Sequence, residues 1–268
     1  MGNPKAPSLP QALKVYADKP KWVGYPLIPS QDKHHGGADG AGGSDKPPVN
    51  PHTCRGARTN HPEDLGTFNE AAACVGKICT VQDKKPKQFV SAMIAGVGLV
   101  LEGPGIICLD LDEVRNKETG AITPEAQEIV QALSTAAYIE VSPSGKGLHA
   151  LLMGEVPAEP GISSKQSDKP DALGGRTGEY QLLKKNYCTV TGNALPGCAS
   201  GLDPAQPFIN ELWERFFRAP IIAKRADNAQ AQGNPLWSLL RLLWELGPLL
   251  RRQLRMCTRL PEVLPLLR

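Results

Sequence analysis

Two aspartates stand two positions apart inside an apolar run, in GIICLDLDEV (105–114). If this run forms a strand, its side chains alternate between two faces, and Cys108, Asp110 and Asp112 share the face that the aliphatic residues do not use. Two carboxylates on one face repel each other unless a cation lies between them, and Mg²⁺ and Mn²⁺ prefer such oxygen ligands. The spacing therefore predicts a divalent-metal site, the alternative being two solvated aspartates at a strand end.

A glycine-rich turn follows in SPSGKGLH (142–149). Backbone N–H groups in such a turn can form a concave anion site, Lys146 adds a positive charge, and His149 can contact a phosphate or transfer a proton. The spacing differs from the GxxxxGK[ST] of a P-loop. The turn predicts phosphate binding, and the alternative is a hairpin whose glycines only satisfy turn geometry.

A third acidic candidate is Glu179, in GEYQLL (178–183). Strand alternation turns Glu179 away from the apolar side that holds Tyr180 and Leu182. A glutamate carried by a strand in this way can be a third metal ligand. The alternative is a solvent-facing residue at a sheet edge.

Strands and helices alternate along the chain and would position these residues. Runs rich in β-forming residues predict a strand at 21–28 and a hairpin at 178–192. They also predict two strands in 89–114, separated by the turn EGPG, and two strands in 136–154, separated by the glycine-rich turn. Cap residues and apolar spacing predict helices over 67–77 with Thr67 as N-cap, over 123–135 with Thr123 as N-cap, and over 206–217. The pattern indicates the α/β or α+β class.

The composition is that of an ordinary globular protein. The chain has 268 residues, of which 41% are hydrophobic and 21% charged, and its net charge of +3 neither requires nor opposes a nucleic-acid partner. Seven scattered cysteines without a CxxC pair indicate reduced thiols, so we expect a cytoplasmic protein. We also expect that it does not enter a membrane, because we find no signal core and no apolar run that could span a bilayer. The irregular spacing of Cys54, Cys74 and Cys79 favours buried thiols over a zinc site.

Taken in order, the segments LDLD, SPSGKGLH, GEYQ and YCTVTGN resemble the primase–polymerase (prim-pol) branch of the archaeo-eukaryotic primase superfamily, phage and plasmid type. The resemblance covers residues 20–195, including the upstream segment ARTNHPEDLGTFNEAAA. It implies a catalytic core made of an N-terminal α/β unit and an RRM-like unit, with the active site in the cleft between them.

The resemblance also implies roles for individual residues. Mg²⁺ or Mn²⁺ would be bound by three acidic residues: Asp110, Asp112 and Glu179. The incoming nucleotide's phosphates would meet Ser144, Lys146 and His149. Contacts to the template are expected from basic side chains, namely Lys84, Lys85, Lys87 and Arg176, although a solvated turn is the alternative for the three lysines. One departure is Asn186, which stands where relatives commonly have an arginine before the YxTVTG strand.

The activity implied by the resemblance is template-directed nucleotidyl transfer, as a DNA primase or polymerase with a two-metal carboxylate mechanism. Its partners would be a single-stranded DNA template, an NTP or dNTP, and a helicase on a separate chain, because relatives often carry a helicase domain that this chain is too short to include. One alternative is a weakly active or non-catalytic nucleic-acid-binding replication accessory. A second is a metal-dependent phosphodiesterase that uses the same carboxylates.

The composition changes near the C-terminus. No lysine follows Lys224 and no aspartate follows Asp227, whereas 236–268 is dominated by leucine and arginine and interrupted by prolines. This break predicts a catalytic domain at 1–218, a linker at 219–235 and a short helical tail at 236–268. The tail is interpreted as a basic appendage, as an ordinary pair of terminal helices, or as the product of a shifted reading frame or truncated gene.

Overall fold

The computed structural model describes residues 4–29, 44–82, 88–101, 105–157, 165–166 and 180–218. The chain divides into two units, Met1–Trp213 and Glu214–Arg268. Only the first few residues of the second unit are described, so the architecture given below is that of the first. The predicted linker and helical tail lie outside the described residues.

Most of the regular structure in the described residues consists of short strands. In chain order they are β1 (Trp22–Pro26), β2 (Ile28–Pro29), β3 (Ser44–Asp45), β4 (Ile78–Gln82), β5 (Phe89–Val100), β6 (Ile106–Leu111), β7 (Tyr138–Val141), β8 (Leu148–Met153), β9 (Lys165–Gln166), β10 (Tyr180–Leu183) and β11 (Tyr187–Val190). The helices are α1 (Phe68–Cys74), α2 (Pro124–Leu133) and α3 (Gln206–Leu212), with 3-10 turns at Gln11–Tyr16 and Pro62–Asp64 and a π-helical turn at Trp213–Arg218.

The first large sheet is built around the long strand β5. Its second half pairs with β1 on one side and β11 on the other, and its first half, Phe89–Met93, pairs with β4. All of these pairings are antiparallel. Strand β4 and the first half of β5 thus form a two-stranded ribbon that continues from the sheet.

The second large sheet has the order β7-β8-β6-β10-β9, and each of its pairs is antiparallel. Helix α2 connects β6 to β7, while β8 lies between these two strands, which makes a split βαβ arrangement. The α2 residues Ile129 and Leu133 are buried, and Glu125 of α2 accepts a hydrogen bond of 3.1 Å from the Tyr180 hydroxyl of β10.

The main apolar core lies between the two sheets. It joins Val97 and Leu99 of β5 and Cys188 of β11 to Cys108 of β6 and Leu151 of β8. Strand β6 is therefore buried on both faces, with α2 on one side and the other sheet opposite. This double burial explains why nearly all the residues around the two aspartates in this run are apolar, on both faces of the strand.

The architecture is mixed α and β with antiparallel sheets and few helices, which is consistent with the α+β alternative among the predicted classes. Helix α1 has the expected capping box, because Thr67 Oγ1 accepts from the Glu70 amide and the Glu70 carboxylate accepts from the Thr67 amide. The strand, turn and strand predicted for 136–154 are β7 and β8. Of the three cysteines expected to be buried thiols, Cys74 and Cys79 are buried, whereas Cys54 is partly exposed.

The predicted hairpin at 178–192 is wrong. Strand β10 pairs with β6 in one sheet, whereas β11 pairs with β5 in the other. Between them, Asn186 takes a left-handed conformation with φ of 65°, which asparagine tolerates better than most residues. The three residues that look like a hairpin turn are thus a crossing from one sheet to the other.

None of the helices in the described part of the chain has the length and apolar character that crossing a bilayer requires.

Candidate active site across the five-stranded sheet

A row of polar side chains crosses the five-stranded sheet. The register pairs Asp110 of β6 with His149 of β8 and with Gln181 of β10, and it pairs His149 with Glu140 of β7. Residues directly opposite each other on neighbouring strands share a face of the sheet. The four side chains therefore lie on the face that β6 also gives to Cys108, as the alternation in LDLD predicted.

His149 is buried between two carboxylates. Its Nδ1 lies 3.0 Å from the carbonyl oxygen of Thr189 on β11, and because a carbonyl can only accept, Nδ1 carries a proton. The Nε2 atom faces Asp110 Oδ1 at 3.6 Å, and Nδ1 is also 3.7 Å from Glu140 Oε1. Burial alone would lower the pKa of His149, but Cys188, Glu140 and Asp110 outweigh burial and hold the pKa well above its ordinary value.

Glu140 is fully buried, and sequence reasoning missed it. Its Oε1 accepts from the Thr191 amide at 2.8 Å, and its Oε2 accepts from the Gly192 amide and the Tyr138 hydroxyl, each at 3.0 Å. A buried carboxylate is costly unless donors or a cation compensate it, and these three donors do so together with the histidine. The available signal was a lone glutamate inside the apolar strand AAYIEV, which is the same anomaly that identified the aspartates.

Two buried thiols extend the polar row into the contact between the sheets. The Sγ atoms of Cys108 and Cys188 lie 3.0 Å apart, and both cysteines are free. The hydrogen bond with the Cys108 thiol lowers the pKa of Cys188, and His149 acts in the same direction. Burial raises the pKa of Cys108. The environment of His149 therefore includes groups from both sheets.

The glycine-rich turn between β7 and β8 lies against the end of β6. A Cβ atom on Gly147 would lie 2.7 Å from the carbonyl oxygen of Leu111 and 3.3 Å from Asp112 Oδ1, so glycine permits an approach that other residues would block. Lys146 Nζ lies 3.8 Å from Glu113 Oε2, beside Asp112 in the chain. The structure thus brings the predicted metal ligand Asp112 and the predicted phosphate-binding turn together.

The amides of this turn are engaged inside the turn itself. The Gly145 amide donates to the Ser142 carbonyl at 2.9 Å, the Lys146 amide to Ser144 Oγ at 3.1 Å, and the Gly147 amide to Ser142 Oγ at 3.1 Å. This differs from the expected ring of amides around an anion. Ser144 acts as a turn-forming residue, and a phosphate would meet the Lys146 ammonium group instead.

Two further basic residues flank the turn, and neither was singled out from the sequence. Arg115 Nη1 donates to the Gly145 carbonyl at 2.7 Å, and the Arg115 amide donates to the Lys146 carbonyl at 2.8 Å. The Lys117 side chain approaches Gly145 closely enough that a Cβ there would lie 3.2 Å from Lys117 Cγ. Together with Lys146 they form a rim of basic side chains at this end of the sheet, beside Asp112 and Glu113.

The remaining predicted site residues lie outside the described residues: Glu179, Arg176, Lys84, Lys85 and Lys87. The residue after Glu179 is Tyr180, which pairs with Leu111. Within the described ranges, no group of three or more histidine, cysteine, aspartate or glutamate side chains is arranged to hold a metal ion. Asp110 and Asp112 are the two described members of the predicted set of three ligands.

Taken together, the arrangement offers two carboxylates at the end of a strand, a buried histidine whose Nε2 atom faces one of them, and basic side chains beside the other. Carboxylate oxygens beside a basic rim can bind a divalent cation together with a phosphorylated ligand. Comparison with protein-family models gives no match for this chain, and a search of curated proteins gives none either.

Proposed function

We propose that this chain is a template-directed nucleotidyltransferase, a DNA primase or polymerase of the prim-pol type that acts in the cytoplasm in replicating a phage or mobile element. The observation that carries the proposal is the placement of Asp110 opposite His149, with Asp112 beside the turn that holds Lys146. These residues come from the separate segments LDLD and SPSGKGLH. The order of these segments in the chain is part of the resemblance to the prim-pol branch.

The topology of the second sheet supports the proposed RRM-like unit. A helix connects the first two strands, β6 and β7, and the spatial order β7-β8-β6-β10 puts the first strand in the middle of the sheet. This is the split βαβ order of ferredoxin-like sheets with one further antiparallel strand. In the proposal, Asp110 lies on the central strand of this unit.

The donor set fits a hard divalent cation in part. Asp110 and Asp112 provide oxygen atoms, which Mg²⁺ and Mn²⁺ prefer, and Glu179 would complete the set. When bound, such ions activate a 3′-hydroxyl and stabilise a pyrophosphate leaving group.

The protein's own residues would position the reactants. His149 is fixed by the Thr189 carbonyl, and its Nε2 atom faces Asp110 Oδ1 at 3.6 Å, while Lys146 would attract the triphosphate. Phosphoryl transfer depends mainly on such positioning and on charge neutralisation. The choice of base would come from pairing with the single-stranded template, so few base-reading side chains are needed. An NTP or a dNTP would serve as substrate, and a separate helicase would supply the template.

The test is primer synthesis and extension on a single-stranded template with Mg²⁺ or Mn²⁺. We expect wild-type protein to incorporate nucleotides. Asp110→Asn should be at least about 100-fold less active, because changing residues that only support metal ligands already lowers metal affinity or activity about 10- to 100-fold. Asp18→Asn is the control, since it makes the same substitution at an exposed position. Circular dichroism should show the same fold for all three proteins.

Three other results would contradict the proposal. Wild-type levels of incorporation by Asp110→Asn would exclude the carboxylate from the reaction. Binding of single-stranded DNA with no incorporation would indicate the non-catalytic replication accessory. Release of labelled nucleotides from DNA ends, dependent on Asp110, would indicate the metal-dependent phosphodiesterase.

A further inference from the structure

The two-stranded ribbon of β4 and the first half of β5 has one buried and one exposed face. On β4, Cys79 and Val81 are buried, whereas the residues that alternate with them are exposed. The exposed side chains of the two strands form three cross-strand pairs: Ile78 with Met93, Thr80 with Ser91, and Gln82 with Phe89. We call these six residues the ribbon face.

The ribbon face carries large apolar side chains in solvent. Phe89 is 75% exposed, Ile78 is 61% exposed and Met93 is 40% exposed. Among the described residues, only Val15 and Leu27 are other large hydrophobic residues with comparable exposure, and both lie outside the ribbon. Scattered exposed hydrophobic residues need no explanation, but three on one face of one ribbon indicate an interaction surface.

Packing on the opposite side fixes this exposure. Cys79, Val81 and Ile94 form a small core cluster with Ile28 and Val49. A shift of one residue in strand register would move this buried set to the solvent and the ribbon face to the core. The cluster therefore determines that Phe89 points outwards.

Two described basic residues lie beside the ribbon face. Lys77 precedes β4 and is exposed, and Arg55, also exposed, forms a bridge with Thr80. The described stretches 77–82 and 88–93 contain no aspartate or glutamate. Lysine is depleted at protein–protein interfaces, whereas basic groups beside an exposed aromatic ring suit single-stranded nucleic acid.

We propose that the ribbon face binds single-stranded nucleic acid, with a base stacked on Phe89 and the phosphates beside it held by Lys77 and Arg55. Ile78 and Met93 extend the apolar platform along the ribbon. The proposal takes the class of partner from the proposed function, but it concerns a surface that contains none of the residues of the polar row.

The experiment measures binding of a fluorescein-labelled oligothymidylate to the full chain by fluorescence anisotropy, in EDTA and without nucleotide. Binding is thereby separated from catalysis and from metal ions. We expect Phe89→Ala to weaken binding about tenfold, since each stacked base contributes substantially to affinity. Phe89→Trp should keep the affinity, and Phe89→Leu should lose it, because leucine is apolar but cannot stack. Val15→Ala is the matched control at an equally exposed apolar position and should bind like wild type.

A second measurement tests the phosphate contacts. Lys77→Ala should make the slope of log affinity against log salt concentration shallower by about 0.7, the contribution of one phosphate contact to a single strand. Phe89→Ala should leave that slope unchanged, because stacking releases no counterion.

Several results would overturn the proposal: wild-type affinity in Phe89→Ala, full affinity in Phe89→Leu, or no binding by the wild type. A wild-type dimer that Phe89→Ala converts to a monomer, with no change in DNA binding, would make the ribbon face a contact between two copies instead. Failure of the proposed function is distinguishable, since a protein that binds DNA through Phe89 but incorporates no nucleotide would retain this surface and lose the enzymatic role.

Discussion

The inner and outer parts of the polar site differ although His149 of the inner part and Lys146 of the outer part are only three residues apart in the chain. The inner part, Glu140 and His149, is buried, and the Glu140 carboxylate accepts three hydrogen bonds of 3.0 Å or less. The outer part, Asp112 and Lys146, lies at the end of the sheet, where Lys146 is 3.8 Å from a half-exposed Glu113. Folding alone completes the inner part, whereas the outer part lies at the edge of the sheet, where we propose that the nucleotide binds.

This difference predicts that substitutions separate into two kinds. A charge removed from a buried network leaves its partners unsatisfied in a medium of low dielectric constant, so the loss falls on stability. A charge removed from a solvated rim costs little stability, because water and salt already screen it. At the rim the loss should fall on ligand binding instead.

The largest effect is expected for Glu140→Ala. The substitution leaves the amides of Thr191 and Gly192 and the Tyr138 hydroxyl without their acceptor, beside a buried His149 that has lost one carboxylate. We expect the free energy of unfolding to fall by about 3–5 kcal/mol, the usual cost of breaking a buried ion pair. Urea denaturation followed by circular dichroism measures it.

Two controls bracket this prediction. Tyr138→Phe removes one donor to Glu140 and should cost about 1 kcal/mol. Glu118→Ala removes an exposed glutamate from the loop after β6 and should change stability by less than about 0.5 kcal/mol. If Glu140→Ala were as stable as Glu118→Ala, the distinction between inner and outer parts would be lost.

A smaller effect, on both stability and activity, is expected for Gly147→Ala. The added Cβ would meet the Leu111 carbonyl oxygen at 2.7 Å, and this backbone atom cannot move without shifting the end of β6. Overpacking of this kind costs about 1–3 kcal/mol. Primer extension should also fall, because the turn would move away from Asp112.

Gly56→Ala is the matched control for this substitution, since a Cβ there would have no atom within 4 Å. Thermal melting and primer extension should show wild-type behaviour for Gly56→Ala. Wild-type activity in Gly147→Ala would mean that the close approach of turn and strand has no role in the reaction.

The features that the sequence predicts well depend on local patterns. The capping box of α1 needs only Thr67 and Glu70, three residues apart, and the alternation that places Asp110 with Cys108 needs only strand geometry. The turn between β7 and β8 is likewise recognisable from its glycines and serines. Each of these patterns lies within a few consecutive residues.

The features that the sequence does not predict depend on contacts between distant segments. Glu140 is satisfied by the amides of Thr191 and Gly192, about fifty residues later, which approach only because β11 belongs to the other sheet. The same long-range pairing explains the error at 178–192, where a short polar connection resembles a hairpin turn. Both flanking strands have better partners elsewhere, β6 for one and β5 for the other.

Lys146→Ala is expected to have the smallest effect on stability. It is also the most direct test of the outer part. Lys146 is three-quarters buried as a side chain, but its ammonium group lies at the rim, 3.8 Å from a half-exposed glutamate. We expect the free energy of unfolding to fall by about 1 kcal/mol or less, since the ion pair with the half-exposed Glu113 contributes little and the other loss is packing of the aliphatic stem.

Nucleotide binding should change much more in the same variant. The KM for the incoming nucleotide should rise about tenfold, the loss expected for one charge-assisted contact to a phosphate, with a smaller change in kcat. Lys146→Arg should recover most of the affinity because it keeps the positive charge, and the difference between wild type and Lys146→Ala should shrink at high salt. Lys14→Ala, at an exposed lysine on the N-terminal 3-10 turn, is the control and should leave KM unchanged. A Lys146→Ala protein that loses stability like Glu140→Ala but keeps its KM would place Lys146 in the structural part of the site and remove the turn from nucleotide binding.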